Sequence, residues 1–168
     1  MVISFGIKNN EDINREKYNE IIQNCIKFWC DKDGKITKTK LAKLCYLADF
    51  SWFYYNLSPM TGLAYIKLPQ WPVPEAYFRA VDSLQCLGKI TETQKGQAKL
   101  ISNLEEPECH ELTHEELDLI QKICTKWKDK KTEEIVSFTH VQMPRKICND
   151  MEIIPYEFIT QEDPDHVY

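Results

Sequence analysis

The chain has 168 residues, 43% hydrophobic and 28% charged, with a formal net charge of −5. A chain of this length buries a core without disulfide or metal staples, so a single domain over 1–168 is expected, with its core at about 16–158 and an acidic tail at 159–168. No apolar run reaches the ~20 residues of a bilayer-spanning helix, the acid excess opposes non-specific attraction to phosphate backbones, and three arginines against eighteen lysines supply few bidentate readers of guanine edges.

The first ten residues start apolar but lack a basic region, a long apolar stretch and a small-residue cleavage site, which predicts a cytoplasmic location. Tyr18, Ile21, Ile22, Cys25 and Trp29 then recur at helical spacing and predict an amphipathic helix over about 14–30. Asp31-Lys-Asp-Gly34 breaks it. Asp31 and Asp33 have the look of a calcium loop, but Ile36 stands where that loop needs glycine and Ala42 where it needs glutamate, so no calcium site is assigned.

Thr37 or Thr39 is placed to cap a second helix, whose stripe Leu41, Leu44, Cys45, Ala48 and Trp52 should pack on the first. Turn formers fill Asn56 to Gly62, Leu63 to Leu68 alternates like a strand, and three prolines follow in 69–74. Pro74 suits the first residue of a third helix with Val73, Tyr77, Ala80, Val81, Leu84 and Leu87 on its buried side, ended by Gly88. Lys89 to Thr93 and Lys99 to Ser102 flank the turn 94–97 and predict a hairpin that must lean on the helices to be stable.

Thr113-His-Glu-Glu116 has the spacing of a capping box, and the helix behind it should bury Leu117, Ile120, Cys124 and Trp127 before a lysine-rich end that suits the helix dipole. Thr132 should cap a fifth helix ending near His140. Met143 to Arg145 and Ile153 to Tyr156 are expected to be extended, and Glu157 to Tyr168 to fray. The predicted class is therefore α+β, mostly α, with about five helices, a proline-rich extended segment and one hairpin.

Seven cysteines without a C-x-x-C pair predict reduced thiols, several of them packed as small hydrophobes. Nucleophile elbow, H-E-x-x-H and phosphate-binding glycine-loop signatures are all missing, so no catalytic residue is assigned. Cys109, His110 and His114 lack a fourth ligand at a familiar zinc spacing, and a solvent-facing loop is the preferred reading. Asp49, at the edge of an apolar helix face, suits either a binding site or a structural pair with a nearby hydroxyl or cation. His140 carries the same two readings. Lys40 and Lys43, with Lys35 and Lys38, make either an electropositive spot for an acidic partner or a solvated helix face. Trp52, Phe53, Tyr54 and Tyr55 point around a helix circumference and cannot all be buried by it, so that with the nearby Trp71 they either pack beneath the extended segment 63–74 or offer Tyr54, Tyr55 and Trp71 as anchors for a protein partner.

Lys43-Leu-Cys-Tyr-Leu-Ala-Asp49, Thr61-Gly-Leu-Ala-Tyr-Ile-Lys67 and Trp71-Pro-Val-Pro74 together resemble the blocks K-L-x-Y-L-A-D, T-G-x-x-Y-I-K and G-P-V-P of the SocA-like antitoxin, or Panacea domain, family, which includes phage-associated proteins. Thr139-His140 and Ile154-Pro155-Tyr156 extend the likeness to about 16–158. Trp71 departs from the pattern by replacing a glycine, which puts the local backbone there in question. The resemblance implies an antitoxin or adaptor that works by binding, without cofactor or metal. It would neutralise a cognate toxin by direct contact or, as in the SocA branch, deliver it to a protease. Partner-binding residues on this reading are Tyr54, Tyr55, Trp71, Asp49, His140, Lys40 and Lys43, and self-association is left open. The alternative is a loosely winged-helix-like DNA-binding regulator using the third helix and the 89–99 wing, which a steep salt dependence would reveal.

Overall fold

The computed structural model describes residues 10–29, 33–69, 72–74 and 76–168. Helix α1 (Asn10–Trp29) begins earlier than its apolar stripe, and β1 (Ile36–Thr37) leads directly into α2 (Lys38–Asn56), capped by the Thr37 hydroxyl, which accepts from the Lys40 N–H. Strands β2 (Tyr65–Lys67) and β3 (Pro72–Pro74) form an antiparallel pair, with Tyr65 opposite Pro74. Helix α3 (Ala76–Cys86), the hairpin β4 (Ile90–Lys95) and β5 (Ala98–Asn103), then α4 (His114–Trp127), α5 (Thr132–Val141) and α6 (Met143–Ile147) follow, and 3-10 turns occupy Tyr156–Gln161 and Pro164–His166. The class is α+β and mostly α.

Helix α2 is the axis of the fold. Every residue from Lys40 to Ser51 is buried, so this helix is enclosed all round rather than along one stripe. α1, α4, α5 and the first 3-10 turn pack around it. The hairpin is widened on one side by β1, which pairs antiparallel with β5 through Ile36 and Ile101, and it leans on α1 and α3 as a free hairpin must. No helix among the described residues is long and apolar enough to cross a membrane.

Several expectations are corrected. Pro74 does not start α3; it closes β3, where a residue lacking an N–H is tolerated at the edge of a two-stranded ladder. Leu87 lies beyond the end of α3 and is exposed, because the chain turns at Gly88, whose φ of +70° favours glycine. Only half of the capping box forms on α4: the Thr113 hydroxyl accepts from the Glu116 N–H, but the Glu116 carboxylate turns to Lys17 on α1 at 2.8 Å. Thr132 is the first residue of α5, and the cap position falls on Lys131, whose N–H donates to Glu134. Met143 to Arg145 is helical, since Pro144 sits where a first-turn helix needs no N–H.

The acidic tail does not fray. Ile159 and Val167 are buried, and the Gln142 amide donates to the carbonyls of His166 and Val167 at 2.7 and 3.0 Å, so apolar anchors and backbone capture hold a segment that composition marks as polar. The described cysteines are all free thiols, and Cys25, Cys45, Cys124 and Cys148 are buried. A hydrogen bond to Cys25, then burial, pushes the Cys124 thiol well above its usual range, which makes it inert packing.

Candidate partner-binding site

Two of the quoted sequence blocks meet in one buried lock. Asp49, in the middle of α2, is wholly enclosed; its Oδ1 accepts from the Thr61 N–H at 2.8 Å, and its Oδ2 accepts from the hydroxyls of Thr61 and Tyr65 at 2.5 and 2.7 Å. The Thr61 hydroxyl in turn accepts from the Leu63 N–H at 3.2 Å, and Gly62 supplies the positive φ of +72° between them. Burial pushes the Asp49 carboxyl upward, opposed by its three hydrogen bonds. Asp49 is therefore a structural pair in the interior, one of its two sequence readings.

Strand β2 is held on its other side by the C-terminal segment. The Ile154 N–H donates to the Tyr65 carbonyl at 2.8 Å and the Met151 N–H to the Lys67 carbonyl at 2.7 Å, with a bridge between Ile66 and Ile153. Tyr156 donates its hydroxyl to the Leu63 carbonyl at 2.6 Å and stacks on Phe50, ring centroids 4.7 Å apart. T-G-x-x-Y-I-K, I-P-Y and the helical aspartate are thus parts of one clamp on the last turns of α2.

What the clamp presents is the end of that helix. Tyr54 is half-buried and Tyr55 is 56% exposed, with their rings edge-on at 5.1 Å, and Tyr168 closes on Tyr55 at 6.4 Å. Leu57 follows at the C-cap in the left-handed region, φ 55°, and is 71% exposed. Burial of part of its ring, then Tyr168 and Tyr54, raises the Tyr55 hydroxyl above the ordinary phenol value, so it stays a neutral donor at physiological pH.

The other sequence candidates lie elsewhere. Lys40 and Lys43 are neither solvated nor at this surface: they lie near the start of the same helix, roughly 21 and 16 Å of helical rise from Tyr54. The Lys40 ammonium sits 3.8 Å from the Trp29 ring centroid and donates to the Lys130 carbonyl at 2.6 Å. Lys43 is fully buried, and desolvation, with repulsion from Arg145, lowers its ammonium from 10.5 to about 7. The neighbouring Lys38 pairs with Glu92 at 3.3 Å. His140 is half-buried near the end of α5. Trp71 lies outside the described residues, as do Cys30 and Asp31.

Sequence reasoning missed Leu57, Tyr156 and Tyr168. Leu57 follows four aromatics and an asparagine at a helix end, a place where a left-handed residue is common, but leucine is not the residue usually found there. Tyr156 closed a segment read only as extended and Tyr168 a tail read as frayed, and the buried positions of Ile154, Ile159 and Val167 bring them onto α2.

The family model described as antitoxin SocA-like, Panacea domain, matches residues 41–144, from the first turn of α2 to the start of α6. No match was found among curated proteins or among solved structures. With more than half of its length matched, including the whole Asp49, Thr61 and Tyr65 lock, the chain belongs to the SocA-like antitoxin family of Panacea domains.

Proposed function

We propose that this protein neutralises a cognate protein toxin by direct contact, with Tyr54 and Tyr55 as the anchors of the docking surface. Family membership carries an antitoxin role and a toxin partner in general terms. The contact surface is supported by one observation above all: a pair of tyrosines, one of them 56% exposed, stands at the end of a helix whose last turns are clamped by the Asp49 lock and by Tyr156. Large aromatic side chains on a rigid base lose little conformational entropy on binding, and tyrosine is among the residues that carry most interface energy. Leu57, beside them and 71% exposed, adds apolar area.

On this reading the protein acts by occupancy and needs no chemistry of its own. Delivery of the bound toxin to a protease is a further step, visible as a shortened toxin half-life when the two proteins are co-expressed. The primary test is growth rescue and co-purification with a toxic product of a neighbouring gene, using wild type and a Tyr54→Ala, Tyr55→Ala, Trp71→Ala triple variant. Loss of rescue with a retained fold is the expected result. Full neutralisation by the triple variant would move the contact to another face.

A further inference from the structure

We propose that residues 164–168 are a releasable strap across a peptide groove between α2, α4 and α5, and that an extended toxin segment with a small aliphatic residue followed by an aromatic one displaces it. The occupant rests on the toxin reading above; the groove does not.

The groove grips main chain. The Gln142 amide, where α5 meets α6, donates to the His166 and Val167 carbonyls at 2.7 and 3.0 Å. The Ser51 hydroxyl of α2 donates to the Val167 carbonyl at 3.3 Å, and the Lys126 ammonium of α4 donates to the Tyr168 carbonyl. Every residue carries a carbonyl, so these donors accept any peptide whose side chains fit. Two side chains set the fit. Val167 is wholly enclosed, and the Tyr168 ring centroid lies 5.5 Å from the Lys126 ammonium and 6.4 Å from the Tyr55 ring. Tyr55 belongs to the proposed toxin surface, so the groove is continuous with it.

The strap is an incomplete occupant. Pro164–His166 forms a 3-10 turn, in which the His166 N–H is taken by the Asp163 carbonyl at 2.8 Å. Gln142 is 1% exposed, and among the described residues its Oε1 has no donor, although Nε2 of the same planar amide serves two strap carbonyls. A buried acceptor without a donor is unfavourable. A primary amide pairs in full with an extended backbone by donating to a carbonyl and accepting an N–H, so a displacing segment makes a bond that the strap lacks. The strap's own hold is also local. Pro164, Asp165 and His166 are exposed and Val167 is its one fully buried side chain, so the segment opens without unfolding the helices.

Fluorescence anisotropy with a labelled peptide of residues 163–168 tests the groove on the full chain. The wild-type strap competes with the probe, so a Val167→Asp chain, whose strap is expelled, should bind the probe about tenfold tighter or more. Val167→Ala, which shortens the anchor without burying a charge, should fall between the two. A probe carrying Val167→Asp should not bind, and Gln142→Leu added to the Val167→Ala chain should weaken binding with the circular dichroism unchanged. The toxic product used for growth rescue should displace the probe. Absence of saturable binding by a folded Val167→Ala chain overturns the proposal, as does a toxin that is neutralised yet leaves the probe in place. Probe binding by a chain that contacts no toxin supports the groove and overturns the toxin reading.

Discussion

The Tyr65 hydroxyl donates to the Asp49 carboxylate across 2.7 Å in the dry interior, tying the middle of the central helix to strand β2. Removing that acceptor strands the Thr61 N–H and hydroxyl and leaves the Tyr65 hydroxyl only its longer contact to the Cys45 carbonyl at 3.4 Å. Asp49→Ala should cost about 3 kcal/mol or more, read as a lowered denaturant midpoint at unchanged slope. Asp49→Asn, which keeps one acceptor oxygen, should cost less. An alanine variant with the wild-type midpoint would show that the lock contributes nothing to stability.

Lys43 gives the fold a pH dependence of unusual sign. Its folded value is lowered from 10.5 to about 7, so between those limits the unfolded chain holds more protons than the native one. Stability therefore rises with pH through that window; below about 7 both states are protonated and the full cost of burying the charge is felt. Relative to Lys43→Met, wild type should gain up to on the order of 4 kcal/mol between neutral and strongly alkaline pH. Denaturant titrations of both proteins at a series of pH values measure the difference; a constant difference excludes a neutral Lys43 in the native state.

Lys40 works in the opposite way, charged and satisfied. Its ammonium lies over Trp29 at 3.8 Å and donates to the Lys130 carbonyl. Lys40→Met keeps the stem packing but loses both contacts, for a cost of about 1–2 kcal/mol. Trp29 emission should change in the folded state, and an unaltered spectrum and midpoint would mean that the cation does not hold this junction.

Leu57 occupies a left-handed C-cap at φ 55°, where a branched L-residue is disfavoured, and its side chain is exposed. Leu57→Asn relieves the backbone at little packing cost and should stabilise the protein by about 0.5 kcal/mol. If Leu57 also touches the toxin, the same change weakens neutralisation while raising the melting temperature, a divergence that separates strain from contact.

How much of this was legible before the structure depends on which signal carried it. Helical spacing in α1, α3 and α4, the hairpin around Gly96 and the Thr37 and Thr113 caps are local, and the structure has them close to where the residues placed them. Burial of α2 on all sides was not local: Lys40 and Lys43 sit where polarity predicts solvent and are tolerated through a ring face and a shifted ionisation, whereas a structural pairing of Asp49 was one of its two readings. The loop after β5 shows the same limit. Its acidic composition reads as solvated, yet Glu20 from α1 accepts the N–H groups of His110, Glu111 and Leu112 and pins it down. Of the candidate site, Tyr54 and Tyr55 followed from helix geometry alone, because four consecutive aromatics cannot share one buried face. Their neighbour Tyr168 came from a distant segment that no spacing rule connects to α2.

Because Ile154, Ile159 and Val167 close over the central helix, and Ser51 donates to the Val167 carbonyl at 3.3 Å, enclosure of that helix waits for residues that leave the ribosome more than a hundred positions after it. The nascent chain therefore carries a bare aromatic ridge around Phe50 and Phe53 until synthesis has passed Val167. Until then that ridge is exposed apolar surface of the kind that chaperones and proteases engage.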